Sequence, residues 1–203
     1  MHCVAPVCIP RVSAWSALGE NGVKLLELVQ TSKNLLVITG AGISTESGIP
    51  DYRSPGRPEY KPLQHNDFMR NEYVRRRYWA RSLVGYQRIG NAQPNTAHKV
   101  LAWMEQHGFM KHLITQNVDR LHHKAGHRDV MELHGTIHEV ECMSCGHVEP
   151  RHSFQDTLLQ HNPGWQDTNA PSSQSRPDGD AELAPQAYAD YRLPRCVHCG
   201  GAV

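Results

Sequence analysis

The spacing of apolar residues changes twice in the first forty positions. Residues 23–29 place leucine and valine at helical intervals, and residues 35–39 form a short apolar run that ends before Gly40. The first pattern predicts a helix and the second a buried strand. Because glycines follow the strand directly, the backbone amides there can come close to a bound phosphate.

A second helix and a second strand follow. Asn95 is a suitable N-cap for an amphipathic helix, Gly108 is well placed to end it, and residues 113–115 form another short apolar run. The order of strand, helices and strand predicts an α/β fold with an open, doubly wound parallel sheet. Ligands of such sheets bind at the carboxyl ends of the strands.

Polar residues are dense after the first predicted strand. Gly40-Ala-Gly42 by itself also occurs in ordinary turns, and Thr45 stands where the common dinucleotide fingerprint has its third glycine. Residues 48–54 add the carboxylate of Asp51, the guanidinium of Arg53 and two hydroxyls. A structural turn does not need this density of polar groups, so the loop is predicted to bind a ligand.

Two further polar clusters follow predicted strands. Asn117 and Asp119 can hydrogen-bond ribose hydroxyls or an amide, and Asp119 is equally suited to cap the next helix. His134, with a glycine behind it, ends another apolar segment. The chain has 14 histidines, so a surface or packing role for His134 stays open beside that of a general base.

Four of the six cysteines form two Cys-x-x-Cys pairs, Cys142 with Cys145 and Cys196 with Cys199. Thiolates suit zinc, and two such pairs can close a tetrahedral site, so we predict one structural Zn²⁺. A redox dithiol is the alternative. The long spacing between the pairs is explained by a flexible insertion at about residues 166–182, which is rich in Ser, Pro and Asp.

Composition limits the other functions. Lys and Arg total 21 against 20 for Asp and Glu, so no overall field favours nucleic acid or an anionic membrane. No apolar run approaches the roughly 20 residues of a membrane span. The basic stretch 75–81 is interpreted as a solvated helical face, with a nucleic-acid patch as the alternative. Residues 1–19 are predicted to form a transit segment or an untargeted tail.

Four short segments carry a family resemblance: GAGIS at 40–44, GIPDYRS at 48–54, TQNVD at 115–119 and ELHG at 132–135. Their order, followed by the cysteine pairs, resembles the sirtuin catalytic core from about residue 20 to the last residue. The wording around Tyr52 is closest to the mitochondrial sirtuin-4 (class II) branch. The resemblance implies a mitochondrial matrix protein with a Rossmann-like NAD-binding domain over 20–138 and a zinc module over 139–203.

The resemblance also implies a reaction. It is that of an NAD-dependent protein-lysine deacylase of the deacetylase or lipoamidase type, which transfers the acyl group to ADP-ribose and releases nicotinamide. Protein ADP-ribosyltransferase activity is implied beside it. The expected partner is an acylated lysine of mitochondrial or other metabolic proteins, with neither nucleic acid nor membrane involved.

Site residues follow from the same resemblance. His134 and Asn117 are implied as catalytic, with His134 the general base for a ribose hydroxyl. The residues implied in binding NAD⁺ are Gly40, Ala41, Gly42, Ser44, Ile49, Asp51, Tyr52, Arg53, Gln116, Asn117 and Asp119. Among them, Asp51 is assigned the nicotinamide carboxamide and Arg53 a phosphate or ribose.

The resemblance includes one departure. A sirtuin continues after the second cysteine pair with further strands that hold the adenosine half of NAD, whereas this sequence reaches Val203 there. The remainder of the Rossmann-like domain is therefore expected to be absent. A catalytically silent isoform that acts as a zinc-containing binding protein is the alternative function.

Overall fold

A computed structural model describes residues 19–55, 63–169 and 176–203. The α-helices in these ranges are α1 (Gly19–Thr31), α2 (His65–Arg70), α3 (Glu72–Asn91), α4 (Thr96–Gln106), α5 (Leu121–Lys124), α6 (Arg151–His161) and α7 (Trp165–Thr168). Two 3₁₀ helices span Ala41–Ser47 and Pro185–Tyr188. The strands are β1 (Leu36–Thr39), β2 (His112–Thr115), β3 (Val130–Glu132), β4 (Glu139–Glu141) and β5 (Val148–Pro150). The predicted N-terminal tail lies outside the described residues, apart from Gly19.

The first three strands form a parallel sheet in the order β1-β2-β3. Thr39 is paired with Thr115 in β2, and Thr115 with Glu132 in β3, so the three strands end at one edge. The predicted parallel α/β fold is confirmed. Strands β4 and β5 form a separate antiparallel pair.

The prediction that β1 is buried is wrong for two of its residues. Leu36 and Ile38 are 47% and 61% exposed, and Leu25 and Leu28 of α1 are exposed as well. Within the described ranges, no helix or strand covers these side chains. Their apolar character predicted that another element packs over this face of the sheet. Whether one does depends on residues distant in sequence, which local periodicity does not reveal.

The largest core lies between α3 and the residues after 139. Trp79 and Leu83 of α3 are buried together with Phe154 and Leu158 of α6. The Trp79 indole also donates to the carbonyl oxygen of Val203 at 2.8 Å. Helix α3 is therefore packed against the part of the chain that carries the cysteine pairs.

The segment predicted to be a flexible insertion is packed where the structure describes it. Ala181 is fully buried, and Asp180 forms an ion pair of 2.6 Å with Arg81 of α3. The backbone of Gly179 lies so close to Gly85 that a Cβ there would overlap it. Residues 170–175 of the segment lie outside the described ranges. The composition of this stretch did not reveal that small residues let its backbone approach α3 closely.

The basic stretch 75–81 is used largely within the fold. Arg75 donates to the carbonyl oxygens of Phe68 and Met69, and Arg76 lies 3.4 Å from a carboxylate oxygen of Glu72. Arg77 lies over the ring of Tyr188 and Arg81 pairs with Asp180. These contacts compete with phosphate binding, and they do not favour the nucleic-acid alternative.

Local signals around α4 are confirmed. The side chain of Asn95 accepts hydrogen bonds from the amides of Ala97 and His98 and so caps the helix. Gly108 follows the helix with a φ of 77°, a conformation that favours glycine. Among the helices that the structure describes, none is both long enough and apolar enough to cross a membrane.

Candidate functional site

The loop after β1 turns directly into a 3₁₀ helix. Ala41 and Gly42 stand in its first turn, where backbone amides have no acceptor within the helix. Gly48 ends the helix with a φ of 84°, which returns the chain so that the amide of Ile49 donates to Ser44. Ser44 and Ile49 are both buried. The glycine-rich sequence therefore folds into a compact turn at the carboxyl end of β1.

The loop after β2 is hydrogen-bonded to that turn. Ser44 Oγ donates to Asp119 Oδ2 at 2.7 Å, and Asn117 Nδ2 donates to Ser44 Oγ and to the carbonyl oxygen of Gly40, both at 3.1 Å. Asp119, which is 3% exposed, also accepts from the amide of Leu121 at 2.9 Å. The prediction that Asp119 is the N-cap of α5 is wrong, because Arg120 occupies that position; Asp119 stands one residue earlier and still accepts from the first amide of the helix.

His134 follows β3 and is exposed. Its Nδ1 lies 2.9 Å from the carbonyl oxygen of Gln116. A carbonyl oxygen only accepts, so Nδ1 carries the proton in a neutral ring and the lone pair is on Nε2. This contact orients the imidazole at the carboxyl edge of the sheet.

The three strand-end loops enclose a cavity of about 380 Å³, called here the strand-end cavity. Seven of the eleven residues predicted to bind NAD line it, together with the predicted catalytic residue His134: Ala41, Ser44, Ile49, Tyr52, Gln116, Asn117 and Asp119. The sheet topology brings them together, since parallel strands place their carboxyl ends at one edge.

Four predicted residues do not line this cavity: Gly40, Gly42, Asp51 and Arg53. Gly40 supplies the carbonyl that holds Asn117. Asp51 accepts hydrogen bonds from the amide and hydroxyl of Ser54, within its own turn. The assignment to NAD stays a prediction for these four residues and for those that line the cavity.

Sequence reasoning missed Pro177 and Asp178, which line the strand-end cavity. Both lie in the segment that composition assigned to a flexible insertion. A second cavity of about 550 Å³, called the α3 cavity, lies between α3 and the loop after β3 and also borders His134 and Asp178. Only the packing of residues 176–182 against α3 could reveal these positions.

The four paired cysteines converge. Cys142 and Cys145 lie in the turn between β4 and β5, and their Sγ atoms are 3.5 Å from that of Cys199 and 3.8 Å from that of Cys196, respectively. All four Sγ atoms lie within 4.8 Å of one another. A zinc ion with bonds of about 2.3 Å to four thiolates separates the sulfurs by about 3.8 Å, so the set fits one structural Zn²⁺.

Backbone geometry supports the thiolate form of Cys142, whereas hydrogen bonds with neighbouring thiols raise the pKa of Cys145 and of Cys199. The amides of Cys145 and Ser144 donate to Cys142 Sγ and lower the pKa of the Cys142 thiol to about 6. A Cβ at Gly201 would overlap Ser144 and crowd Cys199 Sγ, so the close turn there requires glycine. Each Cys-x-x-Cys turn is also closed by an amide of the following glycine, Gly146 or Gly200.

Sequence comparison finds close relatives. Residues 40–203 match the model of the Sir2 family. The chain is 48% identical over 188 residues to the Drosophila melanogaster protein named NAD-dependent protein deacylase Sirt4, covering 90% of this chain and 59% of that protein. It is 45% identical over 187 residues to the human NAD-dependent protein lipoamidase sirtuin-4, mitochondrial, with coverages of 90% and 59%. NAD-dependent protein deacetylase 2 of Bradyrhizobium diazoefficiens is 49% identical over 179 residues, with coverages of 87% and 64%.

Solved structures show the same likeness. The structure titled Sir2-p53 peptide-NAD+ aligns with a TM-score of 0.61 and 30% identity, over 88% of this chain and 60% of that one. A Sir2 structure bound to a propionylated peptide aligns with a TM-score of 0.61 and 29% identity, over 89% and 60%. The chain thus spans about three fifths of the length of the proteins it matches.

Proposed function

The chain belongs to the Sir2 family, and we propose that it serves NAD-dependent removal of acyl groups from protein lysine. In this reaction the acyl group passes to ADP-ribose and nicotinamide is released. The names of its relatives include deacylase, deacetylase and lipoamidase, so the proposal covers acetyl and larger acyl groups.

One observation carries the proposal. The strand-end cavity gathers Ser44, Asn117 and Asp119 from two loops and places His134 at its border. The first three are linked by hydrogen bonds of 2.7 Å and 3.1 Å, which holds their polar atoms in a defined arrangement. A preorganised set of amide, hydroxyl and carboxylate groups suits the carboxamide and ribose hydroxyls of the nicotinamide half of NAD.

We assign His134 the role of general base. Its Nδ1 is held by the Gln116 carbonyl, and Nε2 can therefore accept a proton from a ribose hydroxyl bound in the cavity. His134 also borders the α3 cavity, which we propose for the acylated lysine side chain. The two substrates would then meet at this imidazole.

The cysteine cluster has a structural part in this proposal. Cys142, Cys145, Cys196 and Cys199 would hold one Zn²⁺ with no open position, because four thiolates complete a tetrahedral site. The ion would tie the β4–β5 turn to the last residues of the chain. No chemical step needs it.

Nicotinamide release tests the proposal. The full chain, loaded with zinc, is incubated with NAD and lysine peptides that carry acetyl, lipoyl or branched acyl groups. We expect release with at least one peptide and a loss of at least about a hundredfold in His134→Asn, because general-base catalysis contributes about that factor or more.

His161→Asn is the matched control. His161 is also exposed, and its Nδ1 is likewise 2.9 Å from a backbone carbonyl, that of Thr157. The variant should retain wild-type rates. Absence of release with every peptide would refute the proposal. Stoichiometric zinc without any NAD-induced rise in Tm would then match a silent binding protein.

We also propose a mitochondrial location, with acylated lysines of mitochondrial or other metabolic proteins as substrates. The name of the human relative supports the location, although bacterial relatives are similarly close. A fluorescent fusion at the C-terminus should coincide with a matrix marker. A diffuse cytosolic signal would contradict the location without affecting the proposed chemistry.

A further inference from the structure

A chain of buried hydrogen bonds connects α5 to the ends of β1 and β2. His122 Nε2 lies 2.9 Å from Thr39 Oγ1, which lies 2.9 Å from Thr115 Oγ1. Thr115 Oγ1 also accepts from the amide of Asn117 at 3.1 Å. The side chains of His122, Thr39 and Thr115 are buried. The chain therefore runs from a buried imidazole to the backbone of the loop that lines the strand-end cavity.

A second route leads back from that loop to the same histidine. Asn117 donates to Ser44, and Ser44 donates to Asp119. Asp119 accepts from the amide of Leu121, the residue before His122. Together with the peptide bond between Leu121 and His122, these hydrogen bonds form a ring around residues 116–120, called here the Asn117 loop. Within this ring, His122 joins α5 to β1.

Loss of one member of this ring of hydrogen bonds has a defined effect. Without the imidazole, the buried Thr39 hydroxyl loses one of the two side-chain partners that it has among the described residues, and unsatisfied buried polar groups are costly. The threonine pair can then rotate, and the amide of Asn117 loses a fixed acceptor. Small displacements of positioned groups strongly reduce reaction rates.

We propose that His122 is a positioning residue for the reaction, acting through Thr39 and Thr115 on the Asn117 loop. It touches neither substrate, since it is 1% exposed and lines neither cavity. Only the expected change in kcat and KM rests on the proposed function. The expected change in Asn117 amide exchange depends on the hydrogen bonds of this protein alone.

The test compares three variants of the full, zinc-loaded chain. His122→Leu removes the link. His122→Gln retains an amide group near the position of Nε2. His127→Leu alters the packing around the His122 ring, since the rings of His122 and His127 lie 5.1 Å apart. It leaves the hydrogen bond from His122 to Thr39 intact. Amide hydrogen exchange of Asn117 is measured by NMR without NAD, and nicotinamide release gives kcat and KM.

In His122→Leu we expect Asn117 exchange about tenfold faster and kcat/KM about tenfold lower, the equivalent of one lost hydrogen bond. His122→Gln should restore both within about threefold, and His127→Leu should change neither by more than about twofold. Unchanged Asn117 exchange in a folded His122→Leu, or an equal effect of His127→Leu, would overturn the proposal.

Two further results have a defined meaning. If His122→Leu does not fold, Thr39→Val breaks the same hydrogen bond without altering the packed histidine rings, and it must give the same faster amide exchange at Asn117. If the wild type releases no nicotinamide, the proposed function fails, whereas the exchange measurement still decides the role of His122.

Discussion

Three histidine rings, those of His98, His122 and His127, are packed against one another beneath the strand ends. Their centroids are 4.8 Å apart for His98 and His122, and 5.1 Å apart for His122 and His127. All three are buried. Burial lowers the pKa of each ring, and for His122 the neighbouring rings add to the effect and bring the pKa to about 3.

The charged groups around the cluster oppose this shift only in part. Asp119 raises the pKa of His98, Glu105 raises that of His127, and His123 lowers those of His122 and His127. For His122, the causes are burial and the neighbouring His98, His127 and His123, and each of them lowers the pKa. The neutral form of its imidazole is therefore the one that the fold stabilises.

The sign of the pH effect follows from this shift. An unfolded histidine binds a proton below a pKa of about 6.5, whereas folded His122 stays neutral down to about 3. The stability that depends on neutral His122 is complete above about pH 6.5 and is lost as the pH falls below it. At about 1.4 kcal/mol per pH unit, the loss from His122 alone is about 2 kcal/mol at pH 5 relative to pH 8.

Urea unfolding of the zinc-loaded chain, followed by tryptophan fluorescence, measures this loss. Protonation of the zinc thiolates also destabilises the chain in acid, so the comparison is with His122→Gln, in which the thiolates are unchanged. The gap in unfolding free energy between wild type and variant should fall by about 2 kcal/mol from pH 8 to pH 5. His107→Gln, which alters an exposed histidine, should run parallel to the wild type.

Parallel curves for wild type and His122→Gln over this range would refute the reasoning. They would mean that folded His122 takes up protons as readily as the unfolded chain. The cluster would then be accessible to water.

Three other substitutions test the packing and the two sites. A Cβ at Gly85 overlaps the Gly179 carbonyl, so Gly85→Ala should lower the free energy of urea unfolding by about 3 kcal/mol. Gly90→Ala is the control and should lower it by less than about 1 kcal/mol, because a Cβ there meets only the Tyr86 side chain. Equal losses in the two variants would contradict this packing. Cys142→Ser should lower the zinc content, measured by atomic absorption, below one ion per chain. An unchanged zinc content would contradict the predicted site. Ser44→Ala should weaken NAD binding about tenfold by calorimetry. Ser47→Ala should not, because the buried Ser47 hydroxyl has no hydrogen-bond partner among the residues that the structure describes; equal effects would remove Ser44 from the site.

Patterns that act over a few residues were readable from the chain. Asn95 caps α4 because its side chain reaches amides two and three residues ahead, and Gly108 permits the turn that ends it. The polar clusters were predicted to follow the strands of a parallel sheet, whose ligands bind at the carboxyl ends of the strands. The two cysteine pairs carried a metal signal in their spacing alone.

Contacts between distant residues were not readable. Thr39 and His122 lie outside the four family segments, and the hydrogen bonds that join them to Thr115 and to each other connect positions 76 and 83 residues apart. Composition alone assigned Asp178 and Gly179 to a flexible insertion. Asp178 borders both cavities because the backbone at Gly179 fits against Gly85 of α3. The exposure of Ile38 likewise depends on which elements pack over the sheet.

The sequence by itself therefore determined the first helix and strand, the helix after Asn95 and the strand that follows it, the loops that hold the polar groups and the cysteines that can bind a metal. Each of these depends on periodicity, capping or ligand spacing within short segments. The tertiary structure decided how the Asn117 loop is held, which residues enclose the two cavities and which histidines are buried. Those features depend on long-range packing, where one backbone approach or one buried hydrogen bond selects among arrangements that the local sequence allows equally.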